Sequence, residues 1–236
     1  MLKLKYRRVL LKLSGESLAG KKRHGIDYLV ATRICEAIKE CHDLGVEVSI
    51  VVGGGNFLRG AAASELDRTR ADHMGMLATT INSLGLASII EKIGLDVRVQ
   101  TAVFMRQFAE PYIRSKALSH IKKRRVVIFG CGTGNPFFST DTAASLRAAE
   151  IEADVILKAT TVDGVYDSDP KLNKNAVRYK KISFEDVLAK NLRFMDSAAS
   201  SLCKENGIPV LVFSIENPKN IVRSVLEDDV GTIVKS

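Results

Sequence analysis

The sequence has no tryptophan, only 6% aromatic residues and four cysteines. Those cysteines, Cys35, Cys41, Cys131 and Cys203, lie far apart and form no CxxC pair. Zinc-finger spacing is therefore lacking, and buried free thiols are expected. There is no arginine-rich tail and no aromatic–basic run of the kind that binds RNA, which moves nucleic acid to second place as a partner. No uninterrupted apolar run approaches the ~20 residues of a membrane span. The basic opening, residues 1–13, is interrupted by Lys12 and lacks the apolar core and small-residue cleavage site of a secretion signal. A cytoplasmic chain is expected. Neither an internal repeat nor a low-complexity linker is present.

What is there is ordinary for a folded protein: 46% apolar and 26% charged residues, which excludes a disordered chain. A chain of 236 residues suits one α/β domain, perceived as lobes rather than as two large units. It should bury about 70–75% of its unfolded surface and needs no disulfide to fold. Lys and Arg total 35 against 27 Asp and Glu, a net charge of +8. That excess suits anionic ligands such as nucleotides, although a solubility charge has the same composition.

Continuous Val/Ile/Leu runs at residues 9–13, 46–52, 96–99, 125–129, 154–159 and 208–213 read as strands buried on both faces. Amphipathic stretches lie between them. One carries Val30, Ile34, Ile38 and Cys41 on a single stripe and ends at Gly45; the others run about 72–93, 110–122, 142–150, 184–190, 196–206 and 218–227. Such alternation predicts a parallel sheet with helices on both faces. Residues 161–179, rich in Asp, Gly, Pro and Asn, read as a loop or hairpin, with Asp163-Gly164 as the turn signal.

In open α/β sheets, ligands sit at the carboxyl ends of the strands. Four strands end in candidate loops: Ser14-Gly15-Glu16; Gly53-Gly54-Gly55-Asn56 with Arg59; Gly130-Cys131-Gly132-Thr133-Gly134-Asn135-Pro136; and Lys158-Ala159-Thr160. One glycine loop is a turn. Three on one sheet edge predict a polyphosphate cradle, because backbone N–H groups without a neighbouring Cβ approach an anion closely. Residues 15–22 nearly match a Walker A loop, but Lys22 stands where Ser or Thr should ligate Mg²⁺, and no convincing helix is predicted there. Residues 130–135 have Asn135 where a dinucleotide fingerprint ends in glycine. Neither motif applies.

Lys12 interrupts one buried strand and Lys158 ends another. A lysine there is costly unless it meets an anion or reaches solvent. Beside glycine loops the two read as phosphate contacts, with Arg59 as a third. Asp141 and Asp196 open helical patterns, where capping is the ordinary role, but two carboxylates beside two lysines also fit an arrangement that fixes the ammonium groups. Asp72 reads equally as a helix cap or a ribose-hydroxyl contact. His73 is read as structural. Tyr166 fits either a base cover or a half-buried aromatic.

Taken together, Lys12-Leu13-Ser14-Gly15-Glu16, the Gly53–Asn56 loop with Arg59-Gly60, Asp72-His73-Met74-Gly75-Met76, the run from Gly132 to Phe138 with Thr140-Asp141, and residues 150–165 resemble the bacterial UMP kinases (uridylate kinases) of the amino acid kinase superfamily. The resemblance covers essentially the whole chain. It implies a three-layer αβα sandwich with a mainly parallel central sheet, a single domain over 1–236 with an acceptor-binding N-terminal lobe and an ATP-binding C-terminal lobe, and a homohexamer built from dimers. It also implies transfer of the ATP γ-phosphate to UMP, with Mg²⁺ accompanying ATP, in pyrimidine nucleotide synthesis. Matching positions imply ATP contacts at Lys12, Leu13, Ser14, Gly15, Gly55, Arg59, Thr160, Tyr166 and Asp169. They imply UMP contacts at Gly54, Asp72, Thr133, Gly134, Asn135, Pro136, Phe137, Phe138, Ser139 and Thr140. Lys12, Lys158, Asp141, Asp196 and Arg59 are implied as the charged catalytic set. Related enzymes are activated by GTP and inhibited by UTP. The corresponding activation segment is Gly20, Lys21, Lys22, Arg23, His24 and Gly25, unusually basic here, and the direction of GTP control is left open. Cys131 stands where a small residue is usual.

A UMP phosphate has a second pKa of about 6 and is largely dianionic at neutral pH, so no general base is required. The expected work is in-line positioning and charge neutralisation. Two other readings stand beside this one. The first is a related phosphotransferase acting on a carboxylate or carbamate. The second is a non-catalytic nucleotide-sensing or nucleic-acid-binding regulator.

Overall fold

The computed structural model describes residues 3–58, 66–170, 172–192 and 194–236. Arg59, expected beside the phosphates, lies outside the described residues. The six continuous apolar runs all become strands: β1 (Arg8–Leu13), β2 (Glu47–Val52), β3 (Val97–Thr101), β5 (Val126–Gly130), β6 (Val155–Thr160) and β8 (Val210–Ser214). Three short strands join them: β4 (Glu110–Pro111), β7 (Lys181–Ser183) and β9 (Thr232–Lys235). The sheet order is β4-β3-β5-β2-β1-β6-β8-β9-β7. Every pairing is parallel except β8 with β9.

Side chains alternate across a strand, and the core divides accordingly. Val9, Leu11 and Leu13 face one layer, built by α1 (Gly15–Ala19), α2 (Tyr28–Asp43), the C-terminal half of α3 (Arg68–Lys92) and α8 (Lys219–Leu226). Leu10, Val51 and Ile156 face the other, built by α4 (Arg114–Lys122), α5 (Thr140–Glu150), α6 (Phe184–Ala189) and α7 (Ser197–Glu205). The result is the three-layer αβα arrangement. All four cysteines are buried free thiols.

Four boundaries differ from expectation. The helix expected over 110–122 begins only at Arg114, because Glu110 and Pro111 pair with Gln100 and Thr101 at the sheet edge. A short helix does begin at Gly15, capped by Ser14, whose hydroxyl accepts from the Ser17 amide. The helix expected from Asp72 begins a turn earlier at Arg68, capped by Asp67. Ser139, not Asp141, caps α5. Helix α3 is also long and apolar enough to meet the length and composition of a membrane span, although no apolar run within it approaches that length. Its polar positions break up the continuous run in sequence. In the fold its C-terminal half packs into the core, with Leu86, Ile89 and Ile90 buried.

Candidate active site

The chain builds one side of the sheet from β1 outward with β2, β5, β3 and β4, then crosses to β6 and builds the other side. The turnover point lies between β1 and β6, where a crevice opens at the carboxyl ends of parallel strands. All four candidate loops follow the adjacent strands β5, β2, β1 and β6 and so share that edge, as expected.

Lys12 and Lys158 are direct partners in the β1–β6 ladder. Each stands two residues from a face-marking neighbour, Leu10 and Ile156, so both point toward the α5 layer. There the first turn of α5 presents Asp141 between them. Its Oδ1 lies 2.7 Å from Lys12 Nζ and its Oδ2 accepts from Lys158 Nζ at 2.5 Å. Two cations thus share one carboxylate, leaving the cluster a net positive charge. Lys158 is only 7% exposed. Burial pushes its ammonium down to about 8, the neighbouring Lys12 adds to the fall, and Asp141 opposes it. Burial alone would raise the Asp141 carboxyl, but Lys12 and Lys158 together hold it below the usual carboxylate range.

Asp196 takes the capping role that the sequence offered as the ordinary one, and its other contacts are with hydroxyls at the start of α5. It caps α7 by accepting from the Ala199 amide at 2.9 Å, and its oxygens also accept from Ser139 Oγ and from Thr142 Oγ1 at 3.0 Å. Ser139 Oγ in turn accepts from the Asp141 and Thr142 amides. Asp196 therefore fastens the start of α7 to the start of α5, and through it the backbone that carries Asp141.

Two cavities of nucleotide size open near the candidate loops, one of them lined by Lys158. One, about 560 Å³, is lined by Gly54, Gly55, Arg68, Asp72, Gly75, Thr79, Gly132, Thr133, Asn135, Phe138, Ser139 and Thr140. It gathers most of the expected acceptor positions. Gly54 lets the glycine loop press against α3: a Cβ there would lie 2.8 Å from Ala78 Cβ and 2.9 Å from Gly75 O. The acceptor loop is pinned to the same helix at two strained points. Cys131 and Phe137 both have left-handed backbone, φ 67° and 71°. The Cys131 amide donates to Thr79 Oγ1 at 2.8 Å and the Phe137 amide to Asp72 Oδ2 at 2.7 Å. Asp72 lies inside the helix, so the capping reading is overturned. Its burial would raise its carboxyl, but the Phe137 amide and Arg68 hold it below the usual range.

The second cavity, about 490 Å³, is lined by Lys158, Thr160, Tyr166 and Asp169 together with Lys190, Asn191 and Phe194. Tyr166 donates its hydroxyl to Asp163 at 2.7 Å, and an antiparallel bridge between Tyr166 and Arg178 gives the described residues beside it a hairpin-like pairing. Thr232 anchors that hairpin: its Oγ1 accepts from the Val165 amide and donates to Tyr179 O. A third cavity, about 510 Å³, reaches Asp141 and Asp196 from the α6–α7 side.

Among the described residues, no group of three His, Cys, Asp or Glu side chains is arranged to hold a metal ion. The oxygens of Asp141 and Asp196 already meet ammonium and hydroxyl groups.

Sequence reading missed Arg68, which pairs with Asp72 at 2.9 Å and lies 5.6 Å from the Phe137 ring centroid. The signal was an Arg four residues before Asp72, visible once the helix start is placed at Asp67. It also missed Thr79, Thr142 and Thr232, whose roles depend on contacts distant in sequence.

The amino acid kinase family model matches residues 7–214. The chain is similar to the UMP kinase of Bacillus anthracis, at 42% identity and TM-score 0.95, covering 98% of this chain and 96% of that one. It is similar to the UMP kinase of Ureaplasma parvum, at 40% identity and TM-score 0.94, covering 98% and 100%. The uridylate kinase of Archaeoglobus fulgidus matches at 28% identity and TM-score 0.74, covering 96% and 99%. By its fold, its loops and these matches, the chain belongs to the amino acid kinase family.

Proposed function

We propose that this protein is an ATP-dependent UMP kinase, transferring the γ-phosphoryl group of ATP to UMP and releasing ADP and UDP. The observation that carries the reading is the Lys12–Asp141–Lys158 cluster, a positive centre at the sheet's turnover point, with Lys158 lining one nucleotide-sized cavity and the glycine loop lining another. The similarity to proteins named UMP kinase over nearly the full length supports the choice of acceptor.

In this reading UMP occupies the cavity of Asp72 and Thr133, and MgATP the cavity of Tyr166 and Asp169. N-terminal and C-terminal lobes of one domain then supply acceptor and donor. The attacking phosphate is already an anion, so the obstacle is repulsion between two negatively charged ligands. Lys12 and Lys158 offset the charge on the transferring phosphoryl group, and Asp141 keeps both ammonium tips aimed. Leu13, Ser14, Gly15 and Gly55 border the transfer path at the ends of β1 and β2. Mg²⁺ enters with ATP as substrate.

The finer expectations belong to the same proposal: a cytoplasmic enzyme of pyrimidine nucleotide synthesis, answering to GTP and UTP through the basic segment 20–25 with the direction of the GTP effect left open, and assembled as a homohexamer. The exposed apolar stripe of Met74, Leu77 and Ile81 along α3 supports self-association.

The test is coupled ADP release with MgATP and UMP, CMP, AMP or GMP. A site whose buried groups pair with uracil leaves them unpaired against cytosine, which typically costs about 10⁴–10⁵ in specificity. UMP should dominate. Comparable turnover of CMP would defeat the substrate assignment, and turnover only with a carboxylate or carbamate acceptor would favour the related phosphotransferase. Binding of UTP or DNA without ADP release would favour the regulator.

A further inference from the structure

Asn82 lies in the middle of α3 and is fully buried, as is Asn56 at 2% exposure in the loop after β2. A buried carboxamide is costly unless its donors and acceptor are satisfied. These two satisfy each other. Asn82 Nδ2 donates to Asn56 Oδ1 at 2.7 Å, and Asn56 Nδ2 donates to Asn82 Oδ1 at 2.9 Å. The remaining donors reach backbone carbonyls on two different loops: Asn82 to Gly53 O and Asn56 to Gly25 O, both at 2.7 Å. The Gly25 amide returns a bond to Asn56 O at 3.0 Å. A third loop touches the same pair, because a Cβ at Gly15 would lie 2.5 Å from Asn56 Oδ1 and 2.6 Å from Gly53 O.

One amide pair therefore joins the segment ending at Gly25 to the glycine loop, with Gly15 packed closely against it. It hangs both segments on the helix that also pins the loop after β5 through Asp72 and Thr79. We propose that Asn82 is a positioning residue for phosphoryl transfer. It acts through Asn56 to hold the glycine loop against the reacting phosphates and to couple that loop to residues 20–27. The proposal rests on the kinase reading and deepens it. Asn82 touches neither cavity's ligand; its effect is on where the Gly54 and Gly55 backbone stands.

The experiment compares wild type, Asn82→Ala, Asn56→Ala and the double variant in MgATP plus UMP turnover, with thermal melting followed by circular dichroism. A displacement of about 1 Å at a reacting centre costs on the order of 10²-fold, so kcat should fall roughly 10–100-fold in each folded single variant. KM for either substrate should change by less than about threefold, since the loss is of alignment rather than of binding. The double variant should be little worse than either single one, because the residues act as a unit. Folded single variants with kcat within about twofold of wild type, or losses that multiply in the double variant, overturn the proposal.

If the variants do not fold, hydrogen exchange on wild type decides. Saturating UMP should slow exchange across residues 20–27, and unchanged exchange there overturns the coupling. Wild type that releases no ADP with UMP overturns the kinase reading and this inference together, whereas active wild type with indifferent variants overturns this inference alone.

Discussion

Lys158 is the residue where cost and use meet most closely. Its ammonium, buried beside a second lysine, gives up its proton at about 8, well below the ordinary 10.5. The sign for stability follows from that direction. Between about 8 and 10.5 the unfolded chain holds a proton that the folded chain has released, so this group's contribution to stability rises with pH across that window. Catalysis runs the other way. In the free enzyme the charge that meets the phosphoryl group is lost above about 8, so kcat/KM should fall there, while bound phosphates should restore the proton and carry the kcat profile to higher pH. Lys158→Arg, which stays charged, should abolish that alkaline limb while lowering the rate. A kcat/KM profile flat to high pH in wild type would refute the assignment. Lys12 and Lys158 were legible in sequence because a charge in or beside a buried strand demands a reason, and Asp141 as a carboxylate opening a helix near them. The contacts of Asp196 were not, because its partners Ser139 and Thr142 lie 57 and 54 residues away.

Among elements, α5 and α7 depend on each other through Asp196. Asp196→Ala removes the α7 cap, typically worth about 1 kcal/mol, and frees Ser139, which holds the α5 first turn. Melting temperature should fall by roughly 2–4 °C for each kcal/mol lost in a chain of this size. Turnover should fall as well, because Asp141 rides on that turn. Asp196→Asn, which keeps one acceptor oxygen, should recover much of the stability. Melting curves and kcat of both variants check this, and an alanine variant indistinguishable from wild type in both would count against it. Six strands were legible as continuous Val/Ile/Leu runs, the mark of burial on both faces. The three short strands were not: β4 has two residues, β7 three and β9 four, too few to show a period. The start of α3 was missed because its first turn, Arg68 to Ala71, carries little apolar signal.

For the molecule as a whole, α3 has apolar residues around its circumference, yet only one side is covered by the described fold. Met74, Leu77 and Ile81 stay 46%, 53% and 49% exposed at spacings of three and four residues. A helix apolar all round is normally buried all round. The wild-type protein should therefore run well above 25.8 kDa in light scattering after gel filtration. Ile81→Glu should yield smaller species with native circular dichroism, because a charge buried without a partner is strongly disfavoured. Wild type running at the monomer mass would remove the basis for assembly through this face.

The pairing of Lys12 with Lys158 across β1 and β6 divides labour within the molecule. The groups suited to phosphoryl chemistry are held by the innermost hydrogen-bond ladder, among the last parts of a sheet to open. The groups that would choose the acceptor hang from loops and helix ends outside it. On the kinase reading, redesign of residues 132–138, short of the Ser139 cap, should alter which compound is phosphorylated while the lysine pair stays in place.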